Sequence, residues 1–503
     1  MSSSAIKARM LAGAALVALA MPASAETLRE ALVKAYASNP TLAAQRANVR
    51  AIDENVPIAR ADALPVVQLQ SSYNENVVLP VTAFTAPSRT SQTQASLTYP
   101  IFSGGAVKNA VAAAETRVEG GRASLRGTEA DLFTAVVGAY MDVIRDEAIV
   151  SFNRQNVKVL DVNFQSSQDR FQVGDLTRTD VAQSDARLAL ARSQLQSAEA
   201  RLISSRESYI RLVGKAPGAL ETPPPLPNLP ASVDAAVNVA LSDNPNLLAA
   251  HHNSDATRYD INSARATRLP RLDAVAGGNY TNYFGTLGNV GAPQYDRSAQ
   301  IGLRLTMPLY QGGKPTARVR QAEARRSQAL EQITETERGV IAQTRSAYAV
   351  WQSSLEVIKS AQIAVSANRL ALEGVRAENS VGSRTILEIL NAEQEYLNSQ
   401  LTLVTAQRDA YVAGFALLAA MGHAEAKDLG LDGGSLYDPV ANYKRVRNTI
   451  WDWGGDGEPQ TVSTSTAQTP PQTADVTTPD AAMMPTPVDS RAPVPASKDP
   501  KNR

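Results

Sequence analysis

The chain has 503 residues, no cysteine, 49 basic against 49 acidic side chains, and 44% hydrophobic but only 5% aromatic residues. At roughly 100 to 200 residues per domain the length suggests about three compact domains, but so few aromatics argue against one large globular core. Zero net charge without a basic stripe excludes a nucleic-acid binder. With no Cys and only His251, His252 and His423 there is no thiolate chemistry, disulfide frame or zinc set, so no metal or cofactor is expected.

Residues 1–25 read as an export signal: Lys7 and Arg9 form a basic start, Met10 to Met21 an apolar run, and Ala23-Ser24-Ala25 a small-residue cleavage site. The mature chain is expected to begin at Glu26. The apolar run is shorter than the ~20 residues a spanning helix needs. No cysteine is available to carry a lipid, so contact with a membrane needs another device.

The chain is duplicated. Asn39-Pro40 returns as Asn244-Pro245 and Leu64-Pro65 as Leu269-Pro270, displaced by 205 positions (40 to 245, 65 to 270). Pro100-Ile-Phe-Ser-Gly104-Gly105 returns as Pro308-Leu-Tyr-Gln-Gly312-Gly313, Tyr140 as Tyr348 and Gly174 as Gly382, displaced by 208 (100 to 308, 174 to 382). Constant spacing with changing residues implies that length itself is constrained, as in a rod. The expected divisions are a first repeat at 26–215, a Pro-rich linker at 216–231, a second repeat at 232–430, a belt segment at 431–453 and a disordered tail at 454–503.

In chain order, the stretch after Pro40 to Ala63 is expected helical. Strands follow at about 65–78 and 92–100, where Val67, Leu69, Tyr73 and Val77, then Ala95, Leu97 and Tyr99, alternate with polar residues. A long helix runs from Gly105 to Val173, with a return helix from Leu176 to Val213. The second repeat has strands at about 270–283 and 296–308, where Ala299, Ile301, Leu303, Leu305 and Met307 alternate; Val275 falls on the polar face. Its long helix from Lys314 to Val381 is a rod of about 100 Å at 1.5 Å per residue. Its expected seam uses Val319, Ala322, Ala329, Ile333, Val340, Ala347, Val350 and Val357, interrupted by Arg326, Thr336 and Gln343.

Strands with one apolar and one polar face suit either a half-buried soluble sheet or a membrane barrel with a wet interior, and the export signal and the lack of a large core to cover them favour the barrel. Four strands cannot close one, two copies give a filled eight-strand barrel, and three give twelve with a lumen, so a trimer is expected. The fold class is mainly α with a membrane β-barrel part. In the Pro-x-x-x-Gly-Gly segments, Pro is expected to end sheet pairing and Gly to permit the bend into the helix; the spacing fails the phosphate-loop pattern. Around Gly174 and Gly382 the sequence reads as tight helix-to-helix turns, with Thr177 or Thr179, and Ser383 or Thr385, available as caps. No catalytic set is present, so no enzyme is expected.

Taken together, the paired Asn-Pro, Leu-Pro and Pro-x-x-x-Gly-Gly landmarks and Val381-Gly-Ser-Arg-Thr-Ile-Leu-Glu-Ile-Leu390 resemble the TolC-type outer membrane channel-tunnel family, over about residues 26–450. The resemblance implies a trimeric twelve-strand barrel in outer membrane lipid and an α-helical periplasmic tunnel. It also implies partners: a periplasmic adaptor (membrane fusion) protein and an inner-membrane ABC or proton-driven transporter. It places the periplasmic gate at the two helix turns, with Glu388 as first ring acid, Arg384 as the link arginine and Asp180 as its acidic partner. Where the family has a second ring acid and a link tyrosine, this chain has Asn391 and Asn379, which implies three ring carboxylates and a looser lock. The expected function is export of type I secreted proteins, with drugs or other small molecules as further cargo. Alternatives are a dedicated small-molecule efflux duct and a non-conducting periplasmic coiled-coil spacer. The segment Tyr437 to Trp453 is expected to pack against the outside of the wall, with adaptor contact as its alternative.

Overall fold

A computed structural model describes residues 25–78, 86–287, 291, 293–431 and 436–476. The export signal lies, but for Ala25, outside the described residues. So do 79–85 and 288–290, between the paired strands, and 477–503.

The first repeat gives α1 (Leu28–Ser38), α2 (Pro40–Asp53), α3 (Asn55–Ala61), β1 (Val66–Glu75), β2 (Arg89–Phe102), α4 (Ala106–Gln172) and α5 (Arg178–Val213). The second gives α6 (Val233–Asp243), α7 (Pro245–Ala266), β3 (Arg271–Asn282), β4 (Tyr295–Thr306), α8 (Lys314–Ser380) and α9 (Ile386–Ala420), and α10 (Pro439–Val446) follows. None of these helices is long and apolar enough to cross a membrane.

The Asn-Pro landmarks have a local cause and a distant one. Asn39 caps α2 by accepting from Thr41 N–H at 2.9 Å, and its amide donates to Leu212 O at 3.0 Å. Asn244 caps α7 by accepting from Asn246 N–H at 3.0 Å and donates to Ala420 O at 2.9 Å. One side chain thus starts a helix and ties it to the end of the return helix, while Pro fits the first helical position, where no N–H is needed.

α5, α2 and α7 all pack along α4, while α9, α6 and α7 pack along α8. Because α7 touches both long helices, it joins the repeats into one wall. The main core lies at the waist, where Phe133, Tyr140, Leu202, Tyr209 and Leu220 meet Phe415 of α9. The Tyr140 hydroxyl lies 2.7 Å from Glu26 O and 2.6 Å from Glu221 O and shares its one proton between these two carbonyls, pinning Glu26 to the stretch that follows α5.

The α8 seam follows the expected positions from Val319 to Val340 and then changes phase. Thr344, Trp351, Ser354, Ile358 and Ala361 are buried, whereas Val350 and Val357 are 49% and 42% exposed. A 3.6-residue helix drifts against a strict heptad, and the consecutive steps of four from Thr336 to Val340 to Thr344 correct that drift.

The four strands form one antiparallel sheet in the order β1-β2-β3-β4. Val67, Leu97, Ala276 and Ile301 lie in one cross-strand row and Gln68, Ser96, Gly277 and Gln300 in the next, so the apolar and polar faces continue from edge to edge of the sheet; on the apolar face the row Ser71, Thr93, Tyr280 and Arg297 is the polar exception. Val275 pairs with Thr98 and Gly302 on the polar face. The apolar face is exposed along β1 and β4. Pro100 does not end β2: the strand continues to Phe102 through an irregularity between Pro100 and Phe102. Proline cannot donate to the ladder, and a bulge absorbs that loss. Pro308 stands beyond β4.

The tail differs from the disordered segment expected from Gly454, because its described part is held against the wall. Arg206, 6% exposed, pairs with the fully buried Glu147 at 2.6 Å and donates to Thr473 O at 2.6 Å and Asp475 O at 2.5 Å. Arg154 donates to Ala474 O at 2.9 Å. Low apolar content did not predict this docking, since most of the polar contacts go to main-chain carbonyls, with Ala474 and Val476 packing against the core. Val476 reaches a cleft of about 560 Å³ between α4, α8 and α9, lined by Arg154, Lys158, Arg369 and Tyr396.

Candidate functional site

The two helix turns are built alike. At the end of α4, Asp175 N–H donates to Arg170 O at 2.9 Å and Gly174 N–H to Phe171 O at 3.0 Å. At the end of α8, Ser383 N–H donates to Glu378 O at 3.0 Å and Gly382 N–H to Asn379 O at 2.9 Å. Both are Schellman motifs, which need a left-handed residue, and Gly174 and Gly382 have φ of 87° and 80°. Nothing within 4 Å would meet a Cβ at either, so the requirement is conformational.

Each return helix opens with a capping box. Thr177 caps α5: Asp180 N–H donates to its hydroxyl at 3.2 Å, and Asp180 accepts from Thr177 N–H at 3.0 Å. Thr385 caps α9 in the same way, its N–H donating to Glu388 at 2.8 Å. The hydrogen bonds from Thr177 hold the Asp180 carboxyl below its ordinary range. The Thr385 N–H, and after it Arg384, do the same to Glu388.

Arg384 does not reach Asp180. Among the described residues its ion-pair partners are Glu378 at 2.6 Å and Glu388 at 2.7 Å, and hydrogen bonds to these two raise its guanidinium pKa. The expected link between the repeats is therefore replaced, within one protomer, by a clasp inside the second turn. The turn brings Glu378 beside Arg384, and Asp180 is committed to its own cap. Asn379, at the position of the expected tyrosine, donates to Arg384 O at 2.6 Å and braces the same turn.

Asn391, at the position of the second ring acid, makes the contact between repeats: it accepts from Arg187 of α5 at 2.9 Å. Beside it Leu390 packs with Leu160, Leu188 and Ala191. Glu378 and Arg187 are the residues sequence reasoning missed. Glu378 was legible from the turn geometry, which brings the last helical turn back onto residue 384. Arg187 carries no local signal.

At the other end of the rods, Gly105 and Gly313 start α4 and α8 with φ of 85° and 80°, each preceded by a second left-handed glycine, Gly104 and Gly312. A Cβ on Gly104 would lie 2.7 Å from Leu269 Cβ, whereas around Gly312 there is open space. These joints turn each strand directly into its rod.

The chain matches the family described as outer membrane efflux protein over residues 31–215 and 236–423. The outer membrane efflux protein BepC of Brucella suis is 33% identical over 427 residues, covering 85% of this chain and 91% of BepC. The alkaline protease secretion protein AprF of Pseudomonas aeruginosa is 29% identical over 300 residues, covering 58% of this chain and 61% of AprF. In fold, the chain resembles the Campylobacter jejuni CmeC outer membrane channel with a TM-score of 0.71 at 15% identity, covering 84% of this chain and 89% of that one. A duplicated four-strand sheet on paired long rods, matched to this family across both repeats, makes the chain a member of the outer membrane efflux protein family: a channel-tunnel protein of the outer membrane with its helices in the periplasm.

Proposed function

We propose that three copies close a twelve-strand barrel and a helical tunnel that serve as the exit duct of an envelope-spanning export system. The observation that carries this is the pair of open sheet edges. Among the described residues β1 and β4 each have one neighbour, while the apolar and polar faces run to both edges. Three such sheets complete one another's edges and enclose a polar lumen.

The duplication supports the closure. The pair Val66↔Thr98 becomes Arg271↔Thr306 under the displacements of 205 and 208, so the two hairpins share one register. Applied to the β2–β3 pairing, the same displacements put β4 of one copy beside β1 of the next. Thr98↔Val275 then gives Thr306 opposite Gln70 of the neighbouring copy, and polar residues meet polar residues. Gly312 acquires Leu64 of the neighbouring copy where Gly104 has Leu269.

At the periplasmic end, the two turns of each copy form the gate, with Glu388 giving three carboxylates and the Arg384 clasp holding the turn. Single-channel recording of Glu388→Gln tests this: the ring role requires a drop in cation selectivity, and unchanged selectivity removes it. An inner-membrane ABC transporter with a periplasmic adaptor supplies the cargo, which we take to be secreted protein, in line with the likeness to AprF. The second reading, small-molecule efflux, is favoured by the longer match to BepC, and a proton-driven transporter would serve it. The culture supernatant of a deletion strain, compared with its parent, separates them. Loss of one or a few abundant large proteins supports secretion, and an unchanged supernatant with heightened drug sensitivity supports efflux.

A further inference from the structure

The C-terminal segment climbs the wall and then descends it. Tyr437 N–H donates to the Tyr36 hydroxyl, Asn442 donates to Asp53 at 2.8 Å, and Arg447 O accepts from Arg60 at 2.9 Å. Tyr36, Asp53 and Arg60 lie in rising order along α1 to α3, which lead into β1. The chain then doubles back: Arg445 pairs with Asp456 at 2.7 Å, and Thr473 to Asp475 lie lower, at Arg206. The apex of this excursion, residues 448–455, is therefore its part nearest the sheet. Arg60 stands six residues before Val66, about 12 Å below the first strand at helical and then extended rise.

That apex carries Ile450, Trp451 and Trp453, exposed at 76%, 72% and 87%. On the way up to the apex the segment buries apolar side chains: Val446 is buried, and Tyr443 packs on Val56, Ala114 and Val118. Among the described residues no carboxylate pairs with Lys444 or Arg447, while the acidic Asp456 is taken by Arg445 and Asp452 stands between the tryptophans. Two tryptophans and an isoleucine beside Lys444 and Arg447, the latter over the Tyr443 ring and neither with a carboxylate partner among the described residues, match the headgroup boundary at the foot of a lipid-facing sheet. There the indole is stable with its ring in the acyl region and its N–H toward water, and cations meet phosphate.

We infer that Ile450, Trp451 and Trp453 form an interfacial anchor that inserts into the phospholipid leaflet on the periplasmic side of the outer membrane, with Lys444 and Arg447 on the lipid phosphates. The inference rests on the reading of the sheet as the membrane barrel, which sets the height of the bilayer. It gives this cysteine-free chain a lipid contact beyond the barrel. It also makes the start of the tail a spacer of fixed height: the segment is held at the membrane above and at the Glu147–Arg206 pair below.

The test is tryptophan quenching in vesicles of phospholipids brominated at shallow or deep acyl positions, using the full-length protein. Trp351 is buried in the wall 37 residues along α8, about 55 Å from its start, and serves as the internal reference. The wild type should lose emission, more with shallow than with deep bromines. The double variant Trp451→Phe/Trp453→Phe, altered only at exposed positions, should lose none. Equal loss in the two proteins would overturn the anchor. So would apex emission that is shielded from water yet untouched by bromine, because a protein partner then covers it. Protein that neither floats with the vesicles nor conducts would overturn the barrel reading, and the anchor with it.

Discussion

The register proposed between copies can be tested residue by residue, because the chain has no cysteine of its own. The duplication puts Thr306 of one copy opposite Gln70 of the next and, four residues back, Gly302 opposite Asn74. Directly opposed residues of an antiparallel pair have Cα atoms about 4.5 to 5.5 Å apart, inside the ~4.4 to 6.8 Å range of a disulfide. A slip of two residues keeps the faces correct but shifts the pair by about 6.8 Å along the strand, which takes the Cα separation beyond 8 Å. A chain carrying Thr306→Cys with Gln70→Cys should therefore oxidise to covalent dimers and trimers in membranes, and Gly302→Cys with Asn74→Cys should do the same. Thr306→Cys with Ser72→Cys, the slipped pair, should not. Non-reducing electrophoresis reads the outcome. Efficient cross-linking of the slipped pair with failure of the direct ones would refute the quasi-equivalent closure, and no ladder from any pair would refute contact between β1 and β4.

Three further outcomes follow from the geometry. Arg206→Ala removes one side of a buried ion pair and frees two tail carbonyls, so it should destabilise the protein by about 3 to 5 kcal/mol in thermal unfolding and expose the tail near Thr473 to limited proteolysis; an unchanged tail would break the argument. Tyr140→Phe removes the hydroxyl whose proton is shared between Glu26 O and Glu221 O and should cost about 1 to 3 kcal/mol by the same measurement. Asp180 and Glu388 both have carboxyl pKa values below their ordinary range, so their contribution to turn stability is complete above the ordinary carboxylate pKa and is lost as pH falls through the lowered values. Protection of the amides at residues 175–180 and 383–388, taken as the exchange rate relative to the intrinsic base-catalysed rate at each pH, should therefore fall in acid and hold steady near neutrality, and a loss of protection between pH 6 and 8 would contradict that sign.

Much of the fold was legible because its signals are local. The duplication, the glycines of the helix turns and the alternation of the strands each depend on a few neighbouring residues, so sequence alone determined the rods, the turns and the two-faced sheet. Tertiary structure decided the rest. Arg384 had three carboxylates to choose among, and the folded turn put Glu378 and Glu388 closer than Asp180. Arg187 found Asn391 across 204 positions, a distance over which no spacing rule operates. The α8 seam changed phase at Thr344, where packing against α9 and α6, rather than heptad arithmetic, fixes which residues face inward. The tail docked because folding brought Glu147 and Arg206 together across the α4–α5 hairpin, and the buried guanidinium created by that packing, with Arg154 beside it, gives an otherwise solvent-loving segment carbonyl contacts partly shielded from water.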